Sequence, residues 1–144
     1  MKSLVAIALL GAVAIAVVYA QDAPPRSVWD GVYTHEQAQR GHVSYNQYCM
    51  ACHGGSLSGG EQAPPLAGGE FLSNWNGLTV GDLFDRIRTS MPLNNPQSLN
   101  RETNAAILSY ILSVNRFPTG QAELPSRSEV LKLIRLEAER PSAK

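Results

Sequence analysis

Cysteine is scarce in this 144-residue chain, with two residues in all, and histidine numbers only three. That leaves no framework of several disulfides and no second Cys or His pair to complete a structural zinc site. Charge of one sign is also lacking. Twelve Lys and Arg balance twelve Asp and Glu, which excludes the broadly basic surface that holds nucleic acid. No stretch alternates apolar and polar residues over the length of a strand, and no hairpin dipeptide or internal repeat supports a sheet. The length suits one domain with a modest core.

One long apolar run is present. Lys2 precedes Leu4 to Val18, and Val18-Tyr19-Ala20 offers small residues at the positions a signal peptidase reads. Residues 1–20 are therefore read as a signal peptide cut before Gln21. The run falls a little short of the roughly 20 apolar residues needed to span a bilayer, and an uncleaved periplasmic-side anchor is the alternative. Cleavage would leave 11 basic and 12 acidic side chains. Both readings place the domain outside the cytoplasm.

Residues 21–33, with Pro24-Pro25, read as an extended leader, and 34–120 as the core domain. Thr34 and Gln37 have capping-box spacing, so a helix is expected from Thr34 through His53, with Gly41, Tyr45 and Cys52 on one face and Cys49 alongside, delivering both cysteines inward. Residues 54–69 are Gly, Ser and Pro without periodicity and read as loop; Pro64-Pro65-Leu66 argues for a fixed path. Glu70 to Trp75 reads as a helical turn. A helix is expected over Thr79 to Arg88, capped by Thr79 and Asp82 and buried through Leu83, Phe84 and Ile87. Ser90-Met91-Pro92 stops it. Residues 101–115 carry the broadest apolar stripe, and Asn115-Arg116-Phe117-Pro118 closes that helix. Residues 121–144 form an extension with an amphipathic helix over Pro125 to Arg140. The expected class is all-α, four or five helices with long irregular loops. Loops of that length in so small a domain need something large to pack against.

Both cysteines lie in "CMACHGG", residues 49–55. Zinc would need more ligands, and His35 and His42 on the preceding helix are poorly placed to supply them. A thiol-redox motif belongs at a strand-to-helix junction, in a chain here without strands. Cys-x-x-Cys-His is the attachment signature of haem c. Two thiols one helical turn apart add across the two vinyl groups at one porphyrin edge, and the adjacent histidine lies under the iron. This makes Cys49 and Cys52 the thioether residues and His53 the proximal ligand. A second axial ligand is required, commonly Met or His. Met1 is in the leader and Met50 is held against the attachment edge, so Met91 is the candidate, with Pro92 fixing its backbone. Core gap-filling is the plain alternative for Met91.

The motifs "VWDGVYTHEQAQRG", "YCMACHG", "PPLAGGEFLSNW", "LFDRIRTSMP" and "SYILSVNRFPTGQAEL" resemble a mono-haem class I cytochrome c. More narrowly, they resemble the haem subunits and domains that serve periplasmic quinoprotein alcohol dehydrogenases. The resemblance implies the cytochrome c fold around one covalent haem. It implies that Gly41 and Tyr45 cross the last core helix at Ile107, Tyr110 and Ile111. It also implies that the Pro64 or Pro65 carbonyl orients His53, that Leu66 packs on the haem face, and that Trp75 sits near a propionate. Pro96-Gln97-Ser98-Leu99 departs from the Pro-Gly-Ser-Leu common in relatives. Asn94-Asn95 reads as a turn, and His42 as a solvated helix residue. The implied activity is one-electron transfer between redox partner proteins, from a dehydrogenase (a quinoprotein among the candidates) to an acceptor oxidase or another cytochrome. Rival readings are a fixed subunit of a dehydrogenase complex, a haem enzyme or sensor with an open iron position, and a non-haem structural domain.

Overall fold

A computed structural model describes residues 26–142; the expected signal segment and the first residues of the leader lie outside them. The elements in chain order are β1 (Arg26–Ser27), a 3-10 turn (Val28–Asp30), α1 (His35–Tyr48), α2 (Met50–His53), α3 (Gly69–Trp75), α4 (Val80–Ser90), α5 (Arg101–Val114), α6 (Ser128–Leu131) and β2 (Ile134–Arg135). Among the described residues no helix is long and apolar enough to cross a membrane.

Helices α1 and α5 make the main packing joint, and Gly41 sets how close they come. A Cβ on Gly41 would lie 1.8 Å from the carbonyl oxygen of Ala106 and 3.0 Å from Cβ of Tyr110. Only a residue without a Cβ permits that approach. The close approach falls on Ala106 and Tyr110, so Tyr110 is met as expected and Ala106, the residue before Ile107, joins it. Tyr45, Ile107, Leu108, Ile111 and Leu112 fill the core on either side. Thr34 caps α1 by accepting from the Gln37 N–H. The reciprocal half of the expected box is absent, because the Gln37 side chain is used elsewhere. Its Nε2 donates to the Leu124 carbonyl at 2.9 Å and its Oε1 accepts from the Leu124 N–H at 2.7 Å.

Helix α4 follows its sequence closely. Thr79 and Asp82 form the complete box, and Val80, Leu83, Phe84 and Ile87 are buried at the spacing of one helical face. At about 1.5–3 kcal/mol for each such side chain, that face offsets a large part of the entropy cost of ordering a short helix. Met91 is the C-cap of α4 in extended backbone, its N–H still on the Ile87 carbonyl at 2.9 Å.

Three expectations need correction. The helix expected over residues 34–53 breaks at Cys49, whose φ of −122° and ψ of −33° separate α1 from α2. Residues 26–33, read as leader, are packed domain: Val28, Val32 and Tyr33 are buried, and the Tyr33 hydroxyl donates to the Phe117 carbonyl at 2.6 Å. The amphipathic helix expected over 125–140 is one turn, α6, followed by strand β2. Leu131, Ile134 and Leu136 are buried while Leu133 and Arg135 are exposed. Backbone groups left free between α3 and α4 explain the change. The Gly77 N–H donates to the Leu136 carbonyl and the Leu136 N–H to the Leu78 carbonyl, both at 2.9 Å, so an extended segment is satisfied where a helix would leave these groups unpaired. On the other side β2 pairs in parallel with β1, Arg26 against Ile134 and Ser27 against Arg135.

Candidate functional site

The site is assembled from the end of α1, the turn α2 and the loop that follows. Tyr45 is fully buried, and its hydroxyl donates to the Gly54 carbonyl at 2.7 Å. Burial raises the phenol pKa far above its ordinary value, with Cys49 and Tyr110 adding to the shift, so Tyr45 is a neutral donor. That bond ties α1 to the exit of α2, one residue beyond His53.

His53 is the buried member of the motif, 6% exposed. Its Nδ1 lies 2.9 Å from the Pro64 carbonyl oxygen. A carbonyl only accepts, so Nδ1 carries the proton and Nε2 keeps its lone pair. Of the two prolines, Pro64 makes this contact. The loop reaches His53 by folding back: the Gly59 N–H donates to the His53 carbonyl, the Leu66 N–H to the Leu57 carbonyl, and the Gly60 N–H to the Ala63 carbonyl, at 2.8–2.9 Å. The path is fixed, as Pro64-Pro65-Leu66 led one to expect.

Cys49 and Cys52 are not joined by a disulfide. Cys49 is half-buried against the core, and burial, with Cys52 next, pushes its pKa up to about 11. Cys52 is exposed. The expectation that the helix carries both cysteines inward therefore holds for Cys49 alone, because the break at Cys49 turns the next residues outward. Leu66, Trp75 and Met91 are half-buried against the same core as Cys49, and Pro92 is half-buried beside Met91. Trp75 stacks obliquely on Phe71, with ring centroids 6.4 Å apart. His42 is exposed, within 3.1 Å of Asn46. Asn94 and Asn95 lie in a turn that the Asn95 N–H closes on the Pro92 carbonyl at 2.9 Å. Among the described residues no three His, Cys, Asp or Glu side chains converge as a metal-ion site.

These features fit a covalently held haem. The motif supplies two unpaired thiols one turn apart, and the histidine has its outer nitrogen committed to a carbonyl and the other available. The half-buried apolar side chains suit a large flat ligand that remains partly exposed. One contributor escaped the sequence reading. Asn115 donates from Nδ2 to the Leu66 carbonyl at 2.9 Å and accepts at Oδ1 from the Gly68 N–H at 3.1 Å. It pins the far end of the proximal loop to the end of α5. Its position just after a helix suggested only a terminator.

A family model described as cytochrome c oxidase, cbb3-type, subunit III matches residues 36–111. The chain belongs to this cytochrome c family. Its cofactor is haem c, covalently bound, and it is an electron-transfer cytochrome with the all-α fold expected. Among solved structures, this cytochrome is similar to a chain of the sulfane dehydrogenase SoxCD from Paracoccus pantotrophus. The two are 21% identical with a TM-score of 0.48, over 75% of this chain and 61% of that chain. No curated protein matches the cytochrome.

Proposed function

We propose that the chain is an exported, periplasmic mono-haem carrier that passes single electrons from a dehydrogenase to a downstream acceptor. In this reading Cys49 and Cys52 would hold the haem through thioethers, and His53 and Met91 would ligate its iron. The observation that carries it is the His53 Nδ1–H donating to the Pro64 carbonyl at 2.9 Å. This bond fixes the tautomer that leaves Nε2 as a ligand and raises the basicity of the ring. Haem c supplies the one-electron Fe(III)/Fe(II) chemistry when bound.

The chain's own residues provide orientation and packing. Tyr45 locks the exit of α2 so that His53 keeps its position in both redox states. Pro64 holds the ring, and Asn115 holds the loop that carries Pro64. Met91, at the end of a capped helix, would offer a thioether ligand, a donor that favours the reduced state. Leu66 and Pro92 would pack against the haem, and the Trp75 N–H would serve a propionate. A second reading, a fixed relay subunit within an oxidoreductase complex, is favoured by a formal net charge of zero, which gives little long-range steering of partners. The family's own description as an oxidase subunit agrees with it.

The test is Met91→Ala in the haem-loaded protein. The haem stays attached, the sulfur-to-iron charge-transfer band disappears, the potential falls, and the reduced protein binds carbon monoxide. A visible spectrum identical to wild type overturns the ligand assignment. Co-purification with a dehydrogenase from the periplasmic fraction separates a relay subunit from a free carrier.

A further inference from the structure

We infer that the C-terminal segment is a strap that positions Met91 through α4, with Gly81 and Asp85 as the positioning residues. The inference rests on Met91 being the distal ligand. Beyond Met91 the chain makes one turn, closed by the Asn95 N–H on the Pro92 carbonyl, and stays exposed from Leu93 to Ser98 until Leu99 returns to the core. The placement of the thioether therefore depends on α4, which runs about 16 Å from its cap to Ser90.

The strap grips α4 at three levels. At the start, Arg135 bridges to Thr79, and the Leu136 backbone is bonded to Gly77 and Leu78. Within the first turn, Gly81 touches the strap backbone: a Cβ there would lie 2.6 Å from the Lys132 nitrogen, 2.5 Å from Lys132 Cγ and 2.9 Å from the Ser128 carbonyl oxygen. Halfway along, Asp85 Oδ2 accepts from the Ser128 hydroxyl at 2.6 Å and lies 3.5 Å from Lys132 Nζ. Its other oxygen is buried, 3.7 Å from an Arg88 nitrogen. The strap is itself anchored on the opposite side. Trp29 Nε1 donates to the Glu137 carbonyl at 2.9 Å, and the Arg140 guanidinium lies 5.3 Å from the centre of the Trp29 ring. Helix α4 is thus held between its apolar face on the core and a polar row on the strap.

A strap that merely stabilised the domain would protect every part of it alike. A positioning strap acts first on the last turn of α4. The test uses full-length, haem-loaded protein with Asp85→Ala, Ser128→Ala, the double variant, Ser128→Thr and, as a control on the exposed Arg40–Glu123 pair, Glu123→Gln. Two signals are followed: the sulfur-to-iron band of the oxidised protein against temperature, and amide exchange at residues 87–91 compared with α1 and α5. Asp85→Ala is expected to raise the population with Met91 detached by about tenfold at a temperature where the fold is intact, the factor for losing one hydrogen bond to a charged group. Exchange at 87–91 rises by a similar factor while α1 and α5 do not change. The double variant is no worse than Asp85→Ala, Ser128→Thr restores the wild-type behaviour, and Glu123→Gln has no effect. If the band is lost only together with global unfolding, or if exchange at 87–91 is unchanged, the positioning role is overturned. If Met91→Ala has the wild-type spectrum, the ligand assignment fails and the inference falls with it; that result is distinct from a strap that fails to hold α4.

Discussion

Replacing Gly41 with alanine separates two opposed physical effects by their sign. In an exposed helix interior the change would stabilise by about 1 kcal/mol, because alanine is the better helix former. Here the new Cβ falls 1.8 Å from the Ala106 carbonyl oxygen, whereas real Cβ atoms stay at least 3.0 Å from such atoms. Helices α1 and α5 must part by about 1.2 Å at their crossing. A gap of 0.5–1 Å already forfeits a quarter to a half of the dispersion attraction between facing atoms, and overpacking a well-filled contact costs about 1–3 kcal/mol, occasionally more. The obstacle is backbone on a rigid helix, so the upper end applies. After allowing for propensity, the net loss is about 2–3 kcal/mol. The assay is urea unfolding of haem-loaded protein followed by far-UV circular dichroism. With a slope of about 1.5 kcal/mol/M, the midpoint falls by about 1.5–2 M at unchanged slope. Truncating Ala106 to glycine gives no rescue, because the clash is with its carbonyl. A Gly41→Ala protein as stable as wild type, or more so, refutes the close crossing.

Other perturbations test the cap, the turn and the C-terminal anchor. Asp82 is held below the usual carboxylate range first by the Thr79 hydroxyl, then by the Thr79 backbone N–H and by Lys132, against an opposing effect of burial. Its contribution is complete above the ordinary value of 3.8 and is lost as pH falls through the lower folded value; Thr79→Ala should flatten that acid limb of the stability profile, and an unaltered limb would count against the box. Gln97 has φ of +64°, in the left-handed region that favours glycine. Gln97→Gly removes about 1–2 kcal/mol of left-handed strain and costs about half of that in unfolded-state entropy, so the urea midpoint should rise; a fall refutes the strain. Gln37→Ala leaves both buried backbone groups of Leu124 without partners, at about 1–3 kcal/mol each, and should lower Tm by roughly 10 °C. Glu123→Gln, which breaks an exposed ion pair, should shift Tm by less than about 2 °C.

What could be read from the chain beforehand was local in character. Thr79 and Asp82, three residues apart before an apolar face, specify α4 almost to the residue. Cys-x-x-Cys-His, one remaining methionine and a following Pro-Pro-Leu led to the fold and cofactor without any long-range information. The features that escaped are long-range pairings of backbone. Nothing in the sequence around Gln37 indicates that its amide serves Leu124, 87 residues away. Asn115 looks like a helix terminator until Leu66 and Gly68 are found beside it. The last apolar segment was misread because Leu131, Leu133, Ile134 and Leu136 suit a helical stripe as well as a strand. Unpaired groups at Gly77 and Leu78 decided for the strand, and local patterning cannot weigh them. The break at Cys49 belongs with these, as its neighbours are ordinary helix formers.

The pairing of Arg26 with Ile134 joins positions 108 residues apart. Closing a loop of that size costs about 4 kcal/mol in chain entropy, against the few hydrogen bonds that a two-residue ladder returns. Such a contact forms only after the rest of the chain has collapsed, and contacts of this span slow folding more than they strengthen the product. The α1–α5 crossing at Gly41 also closes a long loop but buries far more apolar surface, so it is expected to dock before the two ends knit together. Mutations within the ladder should then speed unfolding and leave the folding rate nearly untouched.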